Sequence, residues 1–130
     1  MPKIRDQARA AEACKAVKDF VKTNPGSQDE YRQELQQLPS RILTSGLGQT
    51  LAFYAAKGGV LKMIGDQIAA FLSPGKKVNV IQYLDYIMQH CTASEYRQMT
   101  RHALAYAEWL KRYSKAIIET KVDDRAEVGS

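Results

Sequence analysis

Cysteine, histidine and tryptophan are scarce in this chain: two, two and one among 130 residues. Two cysteines as far apart as Cys14 and Cys91 make no disulfide framework. Each lies among apolar residues at helical spacing, which reads as a buried, reduced thiol. Cys14, Cys91, His90 and His102 are the whole stock of soft ligands, and no two stand at the spacing of a zinc knuckle, so no metal is expected. His90, near a helix end, reads as a capping or surface residue, and His102, mid-helix, as a packing residue. Long hydrophobic runs are missing too. The longest uncharged stretch, Ile42 to Ala56, is 15 residues and contains Ser, Thr, Gln and two Gly, whereas a membrane span needs about 20 apolar residues. Lys3, Arg5, Asp6, Arg9 and Glu12 interrupt the N-terminus where a signal peptide would need its apolar core. By elimination a cytoplasmic protein with no membrane partner is expected.

Catalytic motifs are equally absent. No Walker A run, nucleophile elbow or dinucleotide glycine fingerprint occurs. Asp29, Glu30 and Glu34 cluster at a helix start, where they complement the helix dipole; Asp66 and Asp85 stand alone; Asp123 and Asp124 fall in the tail. Paired-acid catalysis needs two carboxyls in one sheltered cleft, and nothing places two of these together. The expectation is a protein that is not an enzyme, with no cofactor and no small-molecule substrate.

What is present suits one helical domain. Hydrophobic residues make up 45% and charged residues 25%, a normal globular balance at a length sufficient for a core. Residues 3–22 carry Ile4, Ala8, Ala11, Cys14, Val17 and Val21 at helical spacing, until Asn24-Pro25-Gly26 breaks the run. Ser27 and Glu30 have the form of a capping box. It opens a helix with Tyr31, Leu35, Leu38 and Ile42 on one stripe, which Pro39 should kink or split. Residues 49–57 are apolar on nearly every side, the pattern of a helix at the centre of a bundle. Past Gly58-Gly59, Leu61, Ile64, Ile68, Phe71 and Leu72 line a helix over 60–72. Residues 78–91 place Val80, Leu84, Ile87, Met88 and Cys91 in helical register, although the β-branched start leaves a short strand open. Thr92 and Glu95 form a second capping box before the longest helix, about 93–120, with Met99, Ala103, Tyr106, Leu110, Tyr113 and Ile117 as its stripe. The fold class is therefore all-α: a single compact bundle of five to six helices over residues 1–121 with a long C-terminal helix, then a flexible acidic tail, 122–130.

The tetrapeptide Glu-Tyr-Arg-Gln occurs twice, at 30–33 and 95–98. The flanking sequence does not repeat, so the echo reads as two helix starts with the tyrosine turned inward rather than as a duplication or a pair of RNA contacts.

The remaining functional signal is basic. Net charge is +5, with a pI near 9.2, which favours anionic partners. Lys15, Lys18 and Lys22 share one helical face. Arg97, Arg101, Lys111, Arg112 and Lys115 form a second ridge. Such ridges hold RNA through phosphate oxygens without reading bases. Glu12, Asp19 and Glu108 dilute both ridges, and each alone is also what a solvated helix face looks like. Tyr96 and Tyr113 offer stacking surfaces, but their spacing favours core packing.

The block Leu38-Pro39-Ser40-Arg41-Ile42-Leu43-Thr44-Ser45-Gly46-Leu47-Gly48-Gln49-Thr50-Leu51-Ala52-Phe53 resembles the signature of the small-subunit family of the Cmr (type III-B) CRISPR effector complex. The Leu-Pro step, the basic residue Arg41, the aliphatic Ile42, the Gly-Leu-Gly-Gln-Thr run and the apolar helix with phenylalanine stand in the family's order. Trp109-Leu110-Lys111-Arg112 and an N-terminal Arg/Ala-rich helix extend the likeness to about residues 3–121. Physically the block is structural: Pro39 kinks, Gly46 and Gly48 turn the chain, Leu47, Leu51 and Phe53 enter the core, and Gln49 and Thr50 cap the next helix.

The resemblance implies a helical bundle without catalytic activity. It implies copies stacked head to tail as a minor filament beside the backbone subunits, with guide RNA pairing to target RNA in the groove between. Implied partners are the backbone and large subunits, further copies of the chain, guide RNA and target RNA, with target cleavage residing in the backbone subunits. The family pattern supplies no RNA-contact motif; Arg41 joins the two ridges as a candidate on its charge. Two other readings stand beside this one: a free-standing nucleic-acid binder, for which residues 30–60 supply no basic recognition helix, and an adaptor that uses its charge against an acidic protein.

Overall fold

Six α-helices form in the order expected, and a computed structural model describes residues 5–118. They are α1 (Arg5–Thr23), α2 (Gln28–Ser45), α3 (Leu47–Lys57), α4 (Gly59–Leu72), α5 (Val80–His90) and α6 (Ala93–Ile117), with a single 3₁₀ turn at Pro25–Ser27. No strand occurs among the described residues, and the β-branched start at 78–81 resolves as the lead-in and first residues of α5. Ile4 of the first stripe, the end of the domain at 119–121 and the acidic tail 122–130 lie outside the described residues.

The helices start and stop for local reasons. Thr92 accepts from the Glu95 amide at 3.1 Å while the Glu95 carboxylate accepts the Thr92 N–H at 2.9 Å, the capping box read from sequence. The Ser27–Glu30 box does not form. The 3₁₀ turn before α2 leaves Ser27 with no side-chain cap hydrogen bond. A box that the sequence reading misses, Asn79 with Gln82, opens α5, where Asp66 also accepts the Val80 N–H at 2.8 Å. Asp66 is thus not solitary. α2 runs unbroken through Pro39, which is buried. Gly46 and Gly58 bracket α3 with φ of 85° and 70° and ψ near 180°, a region essentially closed to other residues, so both corners of α3 need glycine.

The core also departs from the stripes in places. On α1 the buried set is Ala13, Val17 and Phe20, whereas Ala8 and Ala11 are exposed and Cys14 is half-buried. The bulk of Phe20 decides the rotation, since it removes more apolar area from water than two alanines; its ring stacks on Tyr31 at 3.7 Å. On α2 the expected stripe is buried throughout. α5 buries Val80, Tyr83 and Ile87, while Met88 is 71% exposed, so its stripe is rotated too. α6 buries Ala103, Tyr106, Ala107 and Leu110 on the expected face, leaves Met99, Tyr113 and Ile117 half-buried, and ends at Ile117 with Ile118 extended.

α3 and α4 share the centre of the bundle: they pack against each other, and each also packs against α2, α5 and α6. α3 buries Leu47, Gly48, Thr50, Leu51 and Tyr54 but exposes Ala52, Phe53, Ala56 and Lys57. Its alanines make it apolar in composition, yet they carry so little area that exposing them costs little. Phe71 of α4 stacks on Tyr106 at 4.0 Å, joining the centre to α6. No helix among the described residues is long and apolar enough to cross a membrane.

Candidate nucleic-acid interface

The two basic ridges lie on helices that pack against each other, α1 and α6. Lys15, Lys18 and Lys22 are exposed on α1; Arg97, Arg101, Arg112 and Lys115 are exposed on α6, and Lys111 is half-buried. Glu12 and Asp19 line the same shallow hollow as Lys15, so the α1 ridge is the weaker anion site. Arg101 lines a polar cavity of about 420 Å³ with Arg9, Gln98 and His102. Within it Arg9 Nη2 lies 2.8 Å from His102 Nδ1. A guanidinium can only donate, so Nδ1 is the acceptor. Arg9 is a basic residue that the helical reading passes over. No local pattern announces it, because its partner is 93 residues away. Trp109 Nε1 donates to Asp6 at 2.9 Å, tying the start of α1 to α6, and Arg112 lies 5.4 Å from the Trp109 ring centre.

Arg41 belongs to a different surface, between α2 and α3. Its Nε donates to Glu34 Oε2 and its Nη2 to Glu34 Oε1 at 3.2 Å and Gln37 at 3.1 Å. Glu34 is 8% exposed, and the Tyr54 hydroxyl donates to the same Oε2 at 2.6 Å. Burial first, and then the hydrogen bond to this carboxylate, hold the Tyr54 phenol well above its ordinary range, so it remains a donor. The same carboxylate raises Arg41. Glu34 is therefore an interior anchor for a cation, not one of a cluster serving the helix dipole. Thr50 donates to the Arg41 carbonyl at 3.1 Å instead of capping α3. That cap comes from far away: the Gly48 N–H donates to the Tyr96 hydroxyl at 2.8 Å. One member of the tetrapeptide echo thus has a fully buried tyrosine, Tyr31, and the other a half-buried one with a specific partner.

Phe53 overturns its assignment to the core. It is 37% exposed, with the Arg41 guanidinium carbon 5.0 Å and the Lys57 ammonium 5.6 Å from its ring centre. Beside it Gln36, Gln37, Ser40, Arg41, Thr44 and Ser45 line a polar hollow of about 370 Å³ along α2. The Gln36 amide donates to the Lys111 carbonyl and the Ser114 hydroxyl at 3.3 and 3.1 Å, so this face adjoins the C-terminal part of the α6 ridge.

Among the described residues no group of three or more His, Cys, Asp or Glu is gathered as a metal site. Both thiols are free and half-buried rather than fully enclosed. Burial pushes the Cys91 thiol up, the opposite of an activated nucleophile.

Comparison with known proteins agrees with this architecture. The family model described as CRISPR-associated protein (Cas_Cmr5) matches residues 5–117. The CRISPR system Cmr subunit Cmr5 of Thermus thermophilus is 30% identical over 118 residues, covering 90% of this chain and 98% of that protein. The crystal structure of a CRISPR-associated Cmr5 family protein from the same organism superposes with a TM-score of 0.78 at 29% identity, over 90% of this chain and all of the other. The polar anchor, the glycine corners and the bundle around α3 and α4 are thus built by a member of the Cmr5 family of CRISPR-associated proteins.

Proposed function

We propose that this chain is the non-catalytic small subunit of a type III-B CRISPR effector complex, that copies of it stack head to tail as a minor filament, and that the filament helps line the groove where guide RNA meets target RNA. Family membership across residues 5–117 is the observation that carries this reading. Base pairing selects the target, and the protein supplies shape and charge. The α6 ridge, with Arg97, Arg101, Lys111, Arg112 and Lys115, is the principal phosphate-facing surface; the α1 lysines contribute less because Glu12 and Asp19 stand beside them. The other subunits and the RNA are the partners.

Tagged purification from native cells, with mass spectrometry of the proteins and sequencing of the RNA, tests the assignment. Other Cmr subunits with short RNAs sharing a repeat-derived 5′ end are expected. Recovery of the chain alone, or with unrelated proteins and no guide RNA, sinks it. Reversing Lys111, Arg112 and Lys115 to Glu tests the ridge. The monomer stays folded, while RNA retention by the assembly falls and its salt dependence becomes shallower. Unchanged retention across the salt series removes this ridge from the groove.

A further inference from the structure

Phe53 is an exposed aromatic ring flanked by two cations that differ in how they are held. Arg41 is fixed by the buried Glu34 carboxylate and by Gln37. Lys57 is exposed and has no hydrogen bond or ion pair among the described residues besides its place on the ring. Along the chain around this ring acids are missing: from Leu35 to Gly65 there is no Asp or Glu, and the charged residues are Arg41, Lys57 and Lys62. Glu34, the carboxylate that holds Arg41, is buried and also accepts from Tyr54. The adjoining hollow along α2 is lined by neutral amides and hydroxyls besides Arg41. An exposed aromatic face with two cations and neutral hydrogen-bonding groups, the carboxylate behind it being buried, suits a ligand that is both flat and anionic.

From this arrangement we infer that the α2–α3 face binds one unstacked nucleotide of single-stranded RNA, with the base on the Phe53 ring and the phosphate between Arg41 and Lys57. The base takes the ring surface that Lys57 now covers, and the freed ammonium moves to the phosphate. Arg41 stays in place, held by Glu34, and polarises the ring. Gln37 and Ser40 are within the hollow where a ribose or base edge would lie. Any base has a π-face, so the contact is indifferent to sequence. The inference rests on the RNA-groove reading and assigns one contact within it.

The test uses the full chain and a single-stranded RNA oligonucleotide carrying 2-aminopurine, whose fluorescence is quenched on stacking, at low salt. The wild type quenches the probe. F53L, which keeps an apolar side chain without a ring, lowers affinity roughly 5- to 150-fold, the loss of one aromatic–base stack, and removes the quench; F53W restores both. Circular dichroism and thermal melting confirm that each variant is folded. Absence of quenching by the wild type overturns the inference. Equal RNA affinity and quenching in F53L, with RNA lost on reversal of Lys111, Arg112 and Lys115, also overturns it while leaving the RNA-groove reading intact. If F53L leaves RNA binding unchanged but no longer recovers the other Cmr subunits on tagged purification, the face belongs to a neighbouring protein and the nucleotide assignment falls.

Discussion

The two faces of α3 carry the same kind of residues and do opposite things. Inward, Leu51 and Tyr54 are fully buried; outward, Phe53 and Lys57 meet solvent, one residue around the helix. Hydrophobicity alone does not separate them, since a phenylalanine lies outside while a tyrosine, with its hydroxyl, lies inside. The separation comes from what each side chain finds. Tyr54 enters because its hydroxyl donates a hydrogen bond to Glu34 at 2.6 Å, which removes the cost of burying an unpaired hydroxyl. Phe53 stays out because the inner turns are occupied by Leu47, Gly48, Thr50 and Leu51, and a helix has only one face toward any one neighbour.

Aspartate at 51 and at 53 gives the sharpest test of this contrast. L51D places an unpaired carboxylate in the core at a cost of several kcal/mol, on the scale of a whole domain's ~5–15 kcal/mol; the chain is expected to lose its helical circular dichroism signal and its cooperative melt. F53D is expected to remain folded with a melting transition close to wild type. Equal loss in both would mean that the two faces are not distinct. A smaller effect tests the anchor. E34A orphans the Tyr54 hydroxyl and frees Arg41, costing about 1–3 kcal/mol. Adding Y54F should recover part of that, and strict additivity in denaturant titrations would dissolve the network. Smallest is the contrast between two sequence-similar helix starts. T92A should cost about 1 kcal/mol, whereas S27A, which removes no cap hydrogen bond, should stay within about 0.5 kcal/mol.

Those pairs also mark where sequence suffices. The number and order of helices, the α2 stripe, the Thr92 cap and the family block are legible, because each depends on residues within a few turns of one another. Periodicity misplaces Phe53, Met88 and the α1 stripe, since a helical wheel gives the same weight to alanine as to phenylalanine and cannot know which neighbour fills a face. The basic ridges fall on α1 and α6 as their spacing predicts, but Arg41, grouped with them on charge, lies on another surface. Glu34, seven residues from Arg41, has the sequence position of a dipole partner; Tyr54, in the next helix, completes the site only once Gly46 turns the chain back. The Asn79–Gln82 box is within reach of sequence, with the same spacing as the box at Thr92. Arg9 beside His102 is not, because nothing local links them.

The bond from the Gly48 amide to the Tyr96 hydroxyl makes one proton a clock for the whole molecule's breathing. This amide belongs to the first turn of α3, where no carbonyl within the helix can shield it, so its protection from solvent exchange is lent by the start of α6. Deuterium uptake at that single position would therefore time the parting of two segments 48 residues apart in the chain, and a neighbour that clamps α6 in an assembly would slow it without touching α3.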